Sequence, residues 1–168
     1  MSKPAAVGLI ALAQVAALAL WFSTTAVAPD LMAQAHLTAG RIGLLALIVQ
    51  LGFVVGGLTS ALAGLADRID PRQLFSAGAL LGAAANALFL VVEPASGAAL
   101  LSRFAVGASL ALVYPVGMKM AAGWADKGDA GLLVGLLVGA LTLGSAAPHG
   151  FAWLGGVAWP AGVTAASL

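Results

Sequence analysis

The stretch Ala63-Gly64-Leu65-Ala66-Asp67-Arg68-Ile69-Asp70-Pro71-Arg72 decides the fold. Four of its ten residues are charged, and Gly64 and Pro71 favour a turn. It joins two uncharged runs, Ile42 to Ala66 and Gln73 to Val92, each near or above the ~20 residues that cross a ~30 Å hydrocarbon core as helix. A charged turn between such runs is the short connection between two membrane spans on one face of a bilayer.

Composition agrees with that reading. The chain of 168 residues is 62% hydrophobic and 8% charged, with 22 glycines and a mean hydropathy of +1.07, far too apolar for a water-soluble domain. A net charge of +1 without a basic cluster excludes a nucleic-acid partner, since phosphate binding needs several converging cations. The absence of cysteine removes disulfides, thiolate metal sites and Cys nucleophiles together. Only His36 and His149 are present, without metal-ligand spacing, and there is no Ser/His/Asp pattern or phosphate loop. We therefore expect no enzyme, no metal and no cofactor.

Further uncharged runs extend from Pro4 to Pro29 and from Ala130 to Pro148, and another from Pro94 to Met118 is broken only by Arg103. The sequence predicts an all-α polytopic membrane protein with five full spans and a partial sixth. The expected helices cover about 5–28, 41–66, 72–92, 97–122, 130–150 and 159–168 of one domain over 1–168. Lys3, the apolar run after it and Ala26-Val27-Ala28 imitate a secretory signal, but Pro29 and the later runs favour an uncleaved first helix. With a cytoplasmic N-terminus, Lys3, Arg68, Arg72, Lys119 and Lys127 lie inside against Arg41 and Arg103 outside, which sets the orientation by the positive-inside rule. Outer loops are then expected over 30–40, around Glu93 and over 151–159. With nine residues from Pro160 to Leu168, the sixth helix would be about 13 Å long at ~1.5 Å per residue, so the expectation is that the chain continues or that a partner or water shelters this end.

Local chemistry marks the helix ends. Thr38 is placed to cap the second helix, while Asp70, Pro71 and Gln73 supply a cap acceptor, a first-turn proline and a partner three residues on. Small residues recur every four positions at Gly52, Gly56, Ser60 and Gly64, at Gly78 and Gly82, and at Gly131, Gly135 and Gly139. Such stripes permit close helix packing in lipid.

The decapeptide resembles the loop between the second and third helices of the major facilitator superfamily, Gly-x-Leu-Ala-Asp-Arg-x-Gly-Arg-Arg. Leu65, Ala66, Asp67, Arg68 and Arg72 match, whereas Ala63, Asp70 and Pro71 depart. The resemblance makes Asp67, Arg68 and Arg72 candidates for a gating loop that latches two transporter halves on the cytoplasmic side. Asp70 is better explained as a cap. Arg103 with Gly107 resembles a second motif of the superfamily, in which the Arg is associated with proton coupling. Ala28-Pro29-Asp30-Leu31 and Thr38 to Leu45 follow the family order. Gly139 to His149 is similar to the antiporters' fifth-helix motif, but Ala147-Pro148 replaces Gly-Pro.

Polar side chains inside spans are functional candidates by default. Arg103 is the strongest, its ordinary alternative being a side chain that snorkels to the interface. Tyr114 follows it by eleven residues, about three turns, and so shares its face, with Pro115 suggesting a kink. Gln14, Trp21 and Thr25 share a face of the first helix by the same periodicity. In the superfamily the first and fourth helices, with the second and fifth near them, line the central cavity. The resemblance thus implies a substrate cavity of Gln14, Trp21, Thr25, Gln50, Arg103 and Tyr114, with Asn86 a weaker candidate.

The chain is read as the amino-terminal half of such a transporter in the inner or plasma membrane. It would move a small anionic or neutral solute by alternating access, proton-coupled if the Arg103 motif acts as in the family. It would pair with a missing carboxy-terminal half or a second copy. The run from Tyr114 to His149 is similar to cyanate-permease-like members, which implies a small anion. The competing readings are a half-size subunit that transports nothing and a small channel.

Overall fold

A computed structural model describes residues 2–126, 128–153 and 159–167. Helix is the only regular structure among them: α1 (Lys3–Ala26), α2 (Ala28–Gln34), α3 (Ala39–Ala63), α4 (Leu65–Arg68), α5 (Pro71–Leu88), α6 (Gly97–Leu110), α7 (Tyr114–Ala122), α8 (Ala130–Trp153) and α9 (Trp159–Ser167). Lys127 and most of the expected outer loop over 151–159 lie outside the described residues, as do Leu168 and the side chains of Ala147, Pro148 and His149.

The expected helix ends shift for identifiable reasons. The first helix starts at Lys3, turns at Val27 and resumes as α2, so 30–34 is helix where a loop was expected; Pro29 falls in its first turn, where a missing N–H costs nothing. The second helix stops at Ala63, because Gly64 adopts φ +62° as a left-handed cap, and only the single turn α4 follows. The fourth hydrophobic segment is broken. Leu112 and Val113 donate to the carbonyls three residues back, and Pro115 opens α7. Thr38 accepts from the Arg41 N–H at 3.2 Å, and Asp70 accepts from those of Arg72 and Gln73 at 2.8 and 3.4 Å, so both act as caps.

Three helical stretches are long and apolar enough to cross a membrane among the described residues: Lys3–Gln34, Ala39–Ala63 and Gly97–Ala122. The polarity of the bundle is inverted. Leu62, Leu80 and Leu132 are 89%, 71% and 74% exposed, while Gln14, Asn86 and Arg103 are 0% exposed. Water would penalise that arrangement; hydrocarbon around the rim makes it favourable.

The core runs through the bundle in three layers. Val27, Leu31, Leu45, Phe89, Ala99 and Val163 fill one end; Ala17, Leu20, Val106, Leu110 and Val113 fill the middle; Ile10, Ala121 and Leu137 fill the other. α3 packs most extensively on α6, α1 on α8, and α5 on α6. The α3–α6 seam is made by glycine. A Cβ at Gly52 would lie 2.1 Å from the Phe104 carbonyl oxygen, one at Gly56 2.7 Å from the Ala108 backbone, and one at Gly107 1.9 Å from the Val49 carbonyl oxygen. Gly52 and Gly56 therefore sit in this seam, and Gly107 completes it. Gly64 is a cap, and at Gly131, Gly135 and Gly139 an added Cβ would meet nothing within 4 Å among the described residues. Their spacing puts the three on one face of α8, but the face that packs on the bundle carries Leu133 and Leu137.

Ion pairs tie one end of the bundle together. Lys3 contacts Asp126 at 2.7 Å and also Asp129, linking α1 to the connection before α8. Lys119 on α7 donates to Asp67 at 2.6 Å and to the Ala66 carbonyl at 2.7 Å. At the far end Arg41 donates to the Ser96 carbonyl.

Candidate functional site

A concavity of about 540 Å³ opens between α1, α3, α7 and α8, a volume within the range of small-molecule sites. α1 contributes Leu18, Trp21 and Phe22; α3 contributes Gln50 and Phe53; α7 contributes Tyr114; α8 contributes Thr142 and Ser145. Its body is aromatic. The Trp21 and Phe53 rings stand 5.1 Å apart at 59°, close to an edge-to-face pair. Its polar groups are an amide, a phenol and two hydroxyls, and none of the described lining residues is charged.

Of the six expected cavity residues, Trp21, Gln50 and Tyr114 lie on this wall, and Gln14, Thr25 and Arg103 do not. The Thr25 hydroxyl is spent on the Phe22 carbonyl at 2.9 Å, within its own helix. Gln14 is fully buried behind the wall and donates to the Tyr114 carbonyl at 3.0 Å. Its carboxamide fills the space left by Gly117, where a Cβ would lie 2.5 Å from Nε2.

Arg103 neither snorkels nor reaches the cavity. One guanidinium nitrogen donates to Asn86 Oδ1 at 2.6 Å and Ser23 Oγ at 3.2 Å; the other donates to the carbonyls of Leu20 at 2.9 Å and Trp21 at 3.2 Å. Asn86 in turn donates to the Val163 carbonyl and to Ser167, so the node joins α1, α5, α6 and α9. No carboxylate takes part among the described residues, and dipoles alone carry the charge. The expected shared face of Arg103 and Tyr114 is lost because the tight turn at 111–113 breaks the helical phase between them.

Thr142 and Ser145 were not anticipated from sequence. Two hydroxyls three residues apart in an otherwise apolar helix were the available signal. Of the loop residues, Asp67 is paired with Lys119, whereas Arg68 and Arg72 have no ion pair among the described residues. The hydrogen bond from Lys119, and then its charge, hold the Asp67 carboxyl below its ordinary value. Lys3 does the same to Asp129, helped by the Asp126 backbone N–H.

An inverted all-helical bundle with a solute-sized hollow among its long helices defines a polytopic membrane protein. The model of the Major Facilitator Superfamily matches residues 10–166, and the chain belongs to that superfamily, whose members are transporters of small solutes and not enzymes. No curated protein and no solved structure matches the chain.

Proposed function

We propose that the chain is one half of a secondary transporter and that its solute is small and uncharged. The observation that carries this reading is the wall itself: the rings of Trp21, Phe22 and Phe53 interrupted by Gln50, Tyr114, Thr142 and Ser145, without a charged group among the described lining residues. A charged solute entering such a wall would lose hydration without a countercharge. The cation that sequence reasoning offered to an anion is consumed elsewhere, since Arg103 spends its terminal nitrogens on Asn86, Ser23 and two α1 carbonyls. This argues against the small-anion reading of the cyanate-permease resemblance.

Alternating access follows from the open side of the cavity, which a second half, from another copy or another length of chain, would close and rock against. α5 and α8 act as two further spans beside the three stretches long and apolar enough to cross. The N-terminus faces the cytoplasm of an inner or plasma membrane, because Lys3, Arg68, Arg72 and Lys119 gather at one end and Arg103 drops out of the opposing count. Asp67, Arg68 and Arg72 form the gating loop: Asp67 braces α7 within this half, leaving the two arginines for the second. Uptake into proteoliposomes of matched pairs, uracil with its carboxylate orotate and nicotinamide with nicotinate, tests the solute class. Saturable uptake confined to neutral members and lost in Trp21→Ala or Gln50→Leu is expected; preferential uptake of the carboxylates would overturn it.

A further inference from the structure

Two residues that a sequence reader would place in the cavity stand behind it, each bonded to the backbone of a residue that does line it. Gln14 on α1 donates to the carbonyl of Tyr114 on α7. Arg103 on α6 donates to the carbonyl of Trp21 on α1. The two bonds run in opposite directions between the same partners, α1 and the broken α6–α7 segment. We propose that Gln14 and Arg103 are positioning residues forming a reciprocal brace that holds Tyr114 and Trp21 in register across the cavity, without touching solute themselves.

The inference deepens the cavity reading and rests on it for the meaning of Tyr114 and Trp21. Four features support it. Both donors are 0% exposed, so neither is offered to the hollow. Gly117, one turn after Tyr114, leaves the space that the Gln14 amide occupies, an added Cβ lying 2.5 Å from Nε2 and 2.8 Å from Cδ. Tyr114 also opens α7 directly after the turn at 111–113, where the helix lacks regular bonding and an outside donor fixes its direction. The Arg103 arm grips two successive carbonyls, Leu20 and Trp21, and so fixes the rotation of α1 where its aromatic pair faces the cavity.

The chain contains one tyrosine and four tryptophans, so 3-fluorotyrosine gives a single ¹⁹F resonance that reports Tyr114 alone. With Trp124, Trp153 and Trp159 changed to Phe, 5-fluorotryptophan reports Trp21 alone. In nanodiscs, Gln14→Leu and Gly117→Ala are each expected to shift or split the Tyr114 line, and Ser102→Ala, which removes a buried hydroxyl bonded within α6, is not. Arg103→Leu should move the Trp21 line, and Arg103→Lys, which keeps one donor, should restore most of it. A Tyr114 line indifferent to Gln14→Leu in a folded protein overturns the brace. Should Arg103→Leu not fold, the Gln14 and Gly117 variants decide alone. These signals need no solute, so failure of uptake with an intact brace would count against the solute reading and not against the positioning one.

Discussion

Replacing Gly107 with Ala tests the seam on which the cavity wall is mounted. The added Cβ would lie 1.9 Å from the Val49 carbonyl oxygen and 2.8 Å from the Phe53 nitrogen, both backbone atoms that no rotamer change can move. Ordinary contact begins near 3.4 Å, so the helices must part by about 1.5 Å there, in a structure packed to crystal density. Overpacking of this kind costs about 1–3 kcal/mol. The parting also loosens the contacts of Gly52 and Gly56, and close approach is what drives helices together in lipid. We expect a loss of about 2–3 kcal/mol, roughly 30- to 150-fold in the folding equilibrium. Phe53 and Gln50 should be displaced from the wall. Gly131→Ala is the matched control: its Cβ meets nothing within 4 Å, and Ala in a helix gains about 0.5–1 kcal/mol over Gly. Reversible unfolding in mixed micelles, with SDS fraction as the denaturant, measures both. Equal effects of the two substitutions would refute the seam.

The Arg103 node should respond asymmetrically. Arg103→Met removes the charge together with its need for partners and is expected to stay within about 1.5 kcal/mol of the parent, whereas Asn86→Leu takes the nearest of four acceptors from a charge that stays buried and should cost about 1.5–3 kcal/mol, both read by the same unfolding assay. The charged end should be sensitive to acid. Asp67 and Asp129 are held below their ordinary value of 3.8, so their contribution is complete above 3.8 and is lost as pH falls through the depressed values. A double Asp67→Asn, Asp129→Asn variant should melt below the parent at pH 7, and the gap should close toward pH 2. Because the Lys119–Asp67 pair is exposed and the Lys3–Asp129 pair is only half-buried, the gap should also shrink at high salt.

Much of the fold was legible in the sequence because lipid imposes a length and a composition on any segment that crosses it. Thr38 and Asp70 were legible as caps because their chemistry is local. The broken fourth segment was only partly so: Pro115 signalled a kink, but the tight turn before it, which rotates Tyr114 away from Arg103, has no residue signature. The site divided on a physical ambiguity. A polar side chain in a membrane helix must find a partner, and sequence does not say whether that partner is solute or another helix. Gln50 and Tyr114 face the hollow; Gln14 bonds to α7, Asn86 to α9, and Arg103 to α1 and α5. Likewise, the spacing of Gly131, Gly135 and Gly139 specifies a common face but not a neighbour to fill it, and Gly64 fits the stripe while serving a cap.

The central claim is that the hollow between α1, α3, α7 and α8 is a water-filled solute path and that the outer leucines meet lipid. The chain has no cysteine, so single cysteines can be introduced without background and exposed to a membrane-impermeant thiol reagent in proteoliposomes. Ser145→Cys and Gln50→Cys should label rapidly. Leu80→Cys and Leu132→Cys, at positions 71% and 74% exposed in the isolated bundle, should resist labelling because hydrocarbon covers them. Labelling of the outer pair with protection of the inner pair would contradict the account.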